Sequence, residues 1–163
     1  MPIVYRQAGI DDFERLYAVE AACFERPLRF TRSYLRRLIA KKSAAAWMAE
    51  LDGAVVAFAV VEWGRRRGET MAYIPTIEVL AEHRRGGLGR ELLQKLEASA
   101  LAAGAGSIWL HVADRNEGAI RLYEAMGYLW QGRQENYYPD GGAALLFGKR
   151  FESVRGRSEE NAR

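Results

Sequence analysis

The chain has 163 residues, within the ~100–200 usual for one domain, so a single core is expected. At 49% hydrophobic and 28% charged it falls in the globular range, which excludes disordered, collagenous and coiled-coil chains. The net charge of +3 is far below that of a nucleic-acid coat, but the 24 basic residues are nearly all arginine, whose planar fork suits an anionic ligand.

No apolar run reaches the ~20 residues of a membrane span, and the start MPIVYRQAGIDDF lacks the basic stretch and apolar centre of a signal peptide. The expected address is the cytoplasm. Cys23 reads as a buried apolar thiol. His83 and His111 fall in different elements without ligand spacing, so no metal site is expected.

Asp11 and Glu14 have capping-box spacing, and Phe13, Leu16, Tyr17, Glu20, Ala21 and Phe24 follow one helical face, predicting a first helix. A second begins at Thr31 or Ser33, carries the stripe Tyr34, Leu35, Leu38 and Ile39, and ends at Lys41 or Lys42. Asp52-Gly53 between apolar runs at 47–51 and 54–62 signals a hairpin. After a turn at 64–68 another strand spans 69–79, with Pro75 marking a bulge or break. The pattern then becomes a helix over 87–103, a strand over 107–112 and a helix over 116–126, an alternation that implies parallel pairing. Two last strands, near 128–137 and 143–151, flank a turn at Pro139-Asp140-Gly141-Gly142. One domain over 1–151 and a frayed polar tail over 152–163 are expected.

In TIEVLAEHRRGGLGRELLQKLEASA a strand leads into a glycine-containing loop that opens a helix. Gly86, Gly87 and Gly89 let the backbone bend and approach a ligand, and the unpaired amides of the first helical turn then form an anion site. The segment has no GxxxxGK[ST], and no GxGxxG follows the first strand, which excludes the familiar nucleotide loops. What remains is Arg84-x-x-Gly87-x-Gly89. Ile77-Glu78-Val79 precedes it, and NEGAIRLYEAMGY follows from Asn116 to Tyr128.

Together these strings resemble the acyl-CoA pyrophosphate loop and its flanks in the GNAT acetyltransferase superfamily. YAVEAACF in the first helix and Asn136-Tyr137-Tyr138-Pro139 are similar to the subgroup that acetylates the N-terminal alanine of a ribosomal protein. The implied fold class is α/β (α+β), a GNAT-like mixed sheet with antiparallel N-terminal strands and a parallel strand-helix-strand-helix half that binds acyl-CoA.

The resemblance implies acetyl-CoA as the acetyl donor. It would meet the backbone at Ile77 and Val79, the loop residues Arg84, Arg85, Gly86, Gly87, Leu88, Gly89 and Arg90, and the helix cap Asn116, with its 3′-phosphate near Arg84, Arg85 or Arg115. Tyr123, protonated at neutral pH, suits the general acid for the departing thiolate. The amide near Val79 would be the oxyanion donor, and Phe24, Tyr137 and Tyr138 would face the acceptor.

His111 stands where the ribosomal-alanine subgroup has glutamate. A neutral histidine can take the acceptor's proton, Glu78 on the neighbouring strand competes for that role, and reaction without a dedicated base is the third possibility. An α-amine of pKa about 7.8 is on the order of 10% neutral at pH 7, against roughly 0.04% for a lysine side chain, so a weak base fits an α-amine best. The expected reaction is direct attack in a ternary complex on acetyl-CoA by a protein or peptide N-terminus, with alanine-like first residues leading. The alternatives are a small-molecule amine (aminoglycoside, polyamine or amino acid) and a non-catalytic acyl-CoA-binding module. Retention of Asn116 and Tyr123 argues against the latter. No nucleic-acid or membrane partner is expected, and homodimerisation stays open.

Overall fold

A computed structural model describes residues 2–152, so all of the expected tail except Glu152 lies outside the described residues. The elements are β1 (Val4–Ala8), α1 (Phe13–Cys23), α2 (Arg32–Ala40), β2 (Ala44–Leu51), β3 (Ala54–Arg66), β4 (Glu69–Val79), α3 (Leu88–Ala102), β5 (Ser107–Ala113), α4 (Glu117–Ala125), β6 (Leu129–Gln134) and β7 (Ala144–Arg150). They build one seven-stranded sheet of order β1-β2-β3-β4-β5-β7-β6, antiparallel at every step except β4–β5.

Period-2 alternation in the central strands feeds two cores. Met48, Phe58 and Val60 point to one face, where Phe13, Leu16 and Val19 of α1 and Leu35 and Leu38 of α2 cover them. Ala57, Ala59, Val61, Ala72 and Ile74 point to the other, under Leu92, Leu93 and Leu96 of α3 and Tyr123 of α4. The alanines of β2 and β3 leave room for leucines from the helix above.

Several local expectations meet a different outcome. The first cap belongs to Asp12, whose carboxylate accepts from the Gly9 amide at 2.9 Å, because a 3₁₀ turn over Ile10–Asp12 precedes α1. Thr31 caps α2 as expected, its hydroxyl accepting from the Tyr34 amide at 3.1 Å. Arg65 and Arg66 extend β3, and the turn shrinks to Arg67-Gly68, both at positive φ (53° and 81°). The alternation over β5, α4 and β6 gives strands of one direction but no pair between them, since β7 inserts between β5 and β6. Tyr137 and Tyr138 lie outside β6, in a loop where both amides donate to the Gly142 carbonyl at 3.0 Å and Asn136 takes a positive φ of 51°.

Pro75 does mark a bulge: Val60 pairs with Thr76 while Glu62 pairs with Tyr73. The β4–β5 ladder also stops there, at Ile74 opposite Leu110. Beyond that point β4 stays with β3 as far as Val79 and β5 stays with β7 as far as Ala113, so the two parallel strands part in a V. Among the described residues no helix is long and apolar enough to cross a membrane.

Candidate active site

The V opens into a cleft of about 690 Å³. Its walls bring together Ile77 of β4, His111 of β5, Asn116 and Tyr123 of the α4 segment, Phe24 and Phe30 from the α1–α2 connection, and Tyr137 and Tyr138 from the β6–β7 loop. Residues scattered over more than half the sequence thus converge at one break in the sheet.

His111 is held at both ring nitrogens. Nδ1 lies 2.6 Å from the Tyr73 hydroxyl, and Nε2 lies 3.0 Å from Gln134 Oε1. An acceptor at Nε2 puts the ring proton there and leaves Nδ1 to accept from the phenol. The Tyr137 ring stacks on the imidazole, centroids 4.5 Å apart and planes 17° apart. Burial lowers the His111 pKa below its ordinary value, although the Gln134 bond works the other way. At neutral pH the ring is an uncharged acceptor whose partner hydroxyl also lines the cleft.

Tyr123 is buried on α4, and its hydroxyl makes no hydrogen bond among the described residues. Burial raises its pKa, so it is a proton donor across the neutral range. Asn116 caps α4 by accepting from the Ala119 amide at 3.2 Å, which fixes the helix that carries Tyr123.

Glu78 is placed differently. Its register partner is Phe58, so it points under α1, where Thr76 Oγ1 donates to it at 2.7 Å and Glu20 stands beside it. Burial, then the Glu20 carboxyl, push its pKa well up. Glu78 is absent from the cleft wall, which Glu20 reaches instead.

The Leu80 amide donates to Val56 in β3, so strand alternation turns the amide and carbonyl of Val79 to the opposite edge, toward the V. Consistent with this, the Val79 carbonyl accepts from Arg84 Nε at 3.0 Å. The loop then winds into α3 through Arg85 (φ 66°) and Gly87 (φ 84°), leaving Gly86 and Gly87 exposed at the helix start. Gly89 has a packing reason instead: a Cβ there would lie 3.3 Å from Leu122 Cδ2 of α4. A left-handed turn, first-turn amides ahead of the first helical bond (Glu91 N–H to the Gly87 carbonyl) and neighbouring Arg84, Arg85 and Arg90 fit the pyrophosphate of a coenzyme. His83 is half-buried beside this loop and does not line the cleft.

Sequence reasoning missed Tyr73 and Gln134, the two partners of His111. The signal for Tyr73 was its place two residues before the Pro75 bulge. It became useful only with the parallel register, which sets Tyr73 opposite Trp109, one side-chain step before His111 on the same face.

Residues 13–128 match the acetyltransferase (GNAT) family. The chain belongs to that family. As a GNAT acetyltransferase it is an acetyl-CoA-dependent N-acetyltransferase. An N-alpha-acetyltransferase of Sulfurisphaera tokodaii is 27% identical over 150 residues, covering 86% of this chain and 89% of that one. A ribosomal protein bS18-alanine N-acetyltransferase of Escherichia coli is 40% identical over 63 residues, 39% of this chain and 43% of that one. In fold, the GNAT chain superposes on Arabidopsis thaliana NAA60 in complex with acetyl-CoA with TM-score 0.81 at 21% identity, covering 93% of this chain and 100% of that one.

Proposed function

We propose that this GNAT enzyme acetylates the N-terminal α-amine of a protein or peptide in the cytoplasm, with alanine-like first residues as the leading class and residues 1–151 acting as one catalytic domain. The observation that carries the reading is the Tyr73–His111 hydrogen bond of 2.6 Å at the floor of an aromatic cleft. A neutral imidazole behind a phenol is a weak base, suited to an amine that is already on the order of 10% neutral at pH 7. As the amine attacks, its proton passes to the Tyr73 oxygen while the Tyr73 proton moves to His111 Nδ1.

Tyr123, opposite, donates its proton to the departing thiolate. The Val79 amide, turned toward the V, stabilises the oxyanion. Backbone at Ile77 and Val79 and the loop Arg84–Arg90 hold acetyl-CoA, with Arg85 and Arg115 the arginines free to meet the 3′-phosphate, since Arg84 is bonded to Val79. Glu78 takes the place of a structural acid rather than the base.

The cleft's charge favours a peptide over a polycation. Asp114 is paired with Arg133 at 2.9 Å, Asp140 accepts from the Gly142 amide at 2.9 Å, and Glu20 accepts from the Phe30 amide at 3.2 Å. Among the described residues the cleft wall sets Arg29 and Arg115 against these three carboxylates, a near balance of charge that suits a peptide better than a polyamine or aminoglycoside. The relatives named as N-alpha-acetyltransferase and bS18-alanine N-acetyltransferase support the same acceptor class. Acetyl-CoA consumption measured across N-terminal peptides, polyamines, aminoglycosides and amino acids tests it: kcat/KM should be highest for a peptide, and a higher value for any small amine overturns the assignment.

A further inference from the structure

On the face that carries Tyr73 and His111, a second cavity of about 240 Å³ continues away from the V. Register and alternation place Gly64, Arg66, Met71, Tyr73 and Trp109 on that face, Gly64 opposite Met71 and Tyr73 opposite Trp109. Tyr73 lines both cavities, so the second begins where the reaction site ends. Trp109 forms a fixed platform in it. Its indole N–H donates to Ser107 Oγ at 2.8 Å, and its ring lies so close over Gly148 that a Cβ there would be 2.5 Å from ring atoms.

The far end is basic. Arg65, Arg66 and Arg67 crown the β3–β4 hairpin, and Arg150 stands opposite Ser107 on β7; all four are exposed and none has an ion pair among the described residues. Arg65 is bonded to the Gly68 carbonyl at 2.8 Å. The facing carboxylates are Glu69, opposite Arg66, and Glu62, which Lys41 engages at 3.8 Å.

We infer that this groove receives the acceptor polypeptide after its first residues and selects an acidic side chain at about the fourth or fifth position. The inference rests on the reading of the acceptor as a polypeptide N-terminus. Length supports the position. Tyr73 pairs with Glu62, and Arg66 lies four residues further along β3, so at about 3.4 Å per residue the arginine is roughly 14 Å from the reacting end, the span of about four extended acceptor residues. Trp109 and Met71 offer the intervening residues an apolar floor, and the arginines supply the complementary charge.

Two octapeptides with the same first three residues, one carrying Asp-Glu and the other Lys-Lys at the fourth and fifth positions, test the inference against wild type and Arg66→Glu, the fold of the variant being checked by its melting curve. In wild type the acidic peptide should have a roughly 3- to 10-fold higher kcat/KM, expressed in KM and lost in ~0.5 M salt. Arg66→Glu should reverse the order, and a tripeptide should show no salt dependence. Equal kcat/KM for both octapeptides overturns this inference and leaves N-terminal acetylation standing, as does an acidic preference that Arg66→Glu leaves unchanged. If no peptide is acetylated while a small amine is, both readings fall. Displacement of the peptides by an RNA oligonucleotide, with no preference between them, would make the arginines a nucleic-acid surface and also overturn it.

Discussion

The Tyr73 hydroxyl and His111 Nδ1 meet at 2.6 Å across the one parallel step among the described strands. Neither residue is near the other in sequence, and the contact exists because β4 and β5 run together as far as Ile74 and Leu110 before parting. The pair stands where the two strands part, at the mouth of the V.

A base must be unprotonated to act, and burial holds the His111 pKa below its ordinary value near 6.5. The rate should therefore rise with pH through a kcat limb that lies below ~6.5, while kcat/KM keeps a further rise from the α-amine near 7.8. His111→Ala should remove the lower limb and lower kcat by roughly 10²–10⁴-fold, and Tyr73→Phe should lower it comparably. The double variant should cost little more than either single one, since the two groups act as one path. Additive losses in pH–rate measurements would separate them.

Tyr123→Phe should lower turnover by roughly 10- to 1,000-fold while acetyl-CoA affinity stays within a few-fold, because the hydroxyl is used in the transition state rather than in binding. Pre-steady-state kinetics and calorimetry on the same preparation check both halves. A large loss of affinity would make the residue a packing element of α4.

The coenzyme loop divides its glycines between two jobs. Gly87→Ala strains a left-handed turn (φ 84°) and should cost about 1 kcal/mol of stability, whereas Gly89→Ala, which presses on the flexible end of Leu122 at 3.3 Å but gains helix propensity in α3, should cost less. Gly87→Asp places a carboxylate at the anion site, and calorimetry should find acetyl-CoA binding lost. Unchanged affinity in the variant would place the pyrophosphate elsewhere.

Glu78 gives a stability test with a definite sign. Its folded pKa is raised above the unfolded value near 4.5, so its contribution is complete below that value and is lost as pH rises through the folded pKa. The wild-type melting temperature should carry a downward contribution as pH is raised above ~4.5, and Glu78→Gln should remove it. Each ~1 kcal/mol regained appears as ~2–4 °C in a chain of this size. His111, with a lowered pKa, acts in the opposite sense, losing stability as pH falls below ~6.5, so the difference between wild type and Glu78→Gln at each pH isolates Glu78. An unchanged slope in Glu78→Gln would mean another group titrates.

Much of the site was legible in the sequence where chemistry follows from local pattern. The glycine-arginine loop, the Asn116 cap, Tyr123 and the aromatic pair Tyr137-Tyr138 are short-range signals, and the structure places Asn116, Tyr123 and both tyrosines on the one cleft. What stayed hidden depends on register between distant strands. That Glu78 pairs with Phe58 under α1 while His111 follows Trp109 beside Tyr73 could not be read from either strand alone. The insertion of β7 beside β5 was equally silent, because strand order is decided by which edges are left to pair and not by the strand's own residues.

The most direct test uses one peptide that carries an N-terminal alanine and an internal lysine, offered with acetyl-CoA alongside an equal concentration of spermidine. Tandem mass spectrometry of the product should find the acetyl group on the α-amine of the peptide, with spermidine unmodified. Acetylation at the lysine side chain, or preferential acetylation of spermidine, would contradict N-terminal α-amine transfer by the Tyr73–His111 pair.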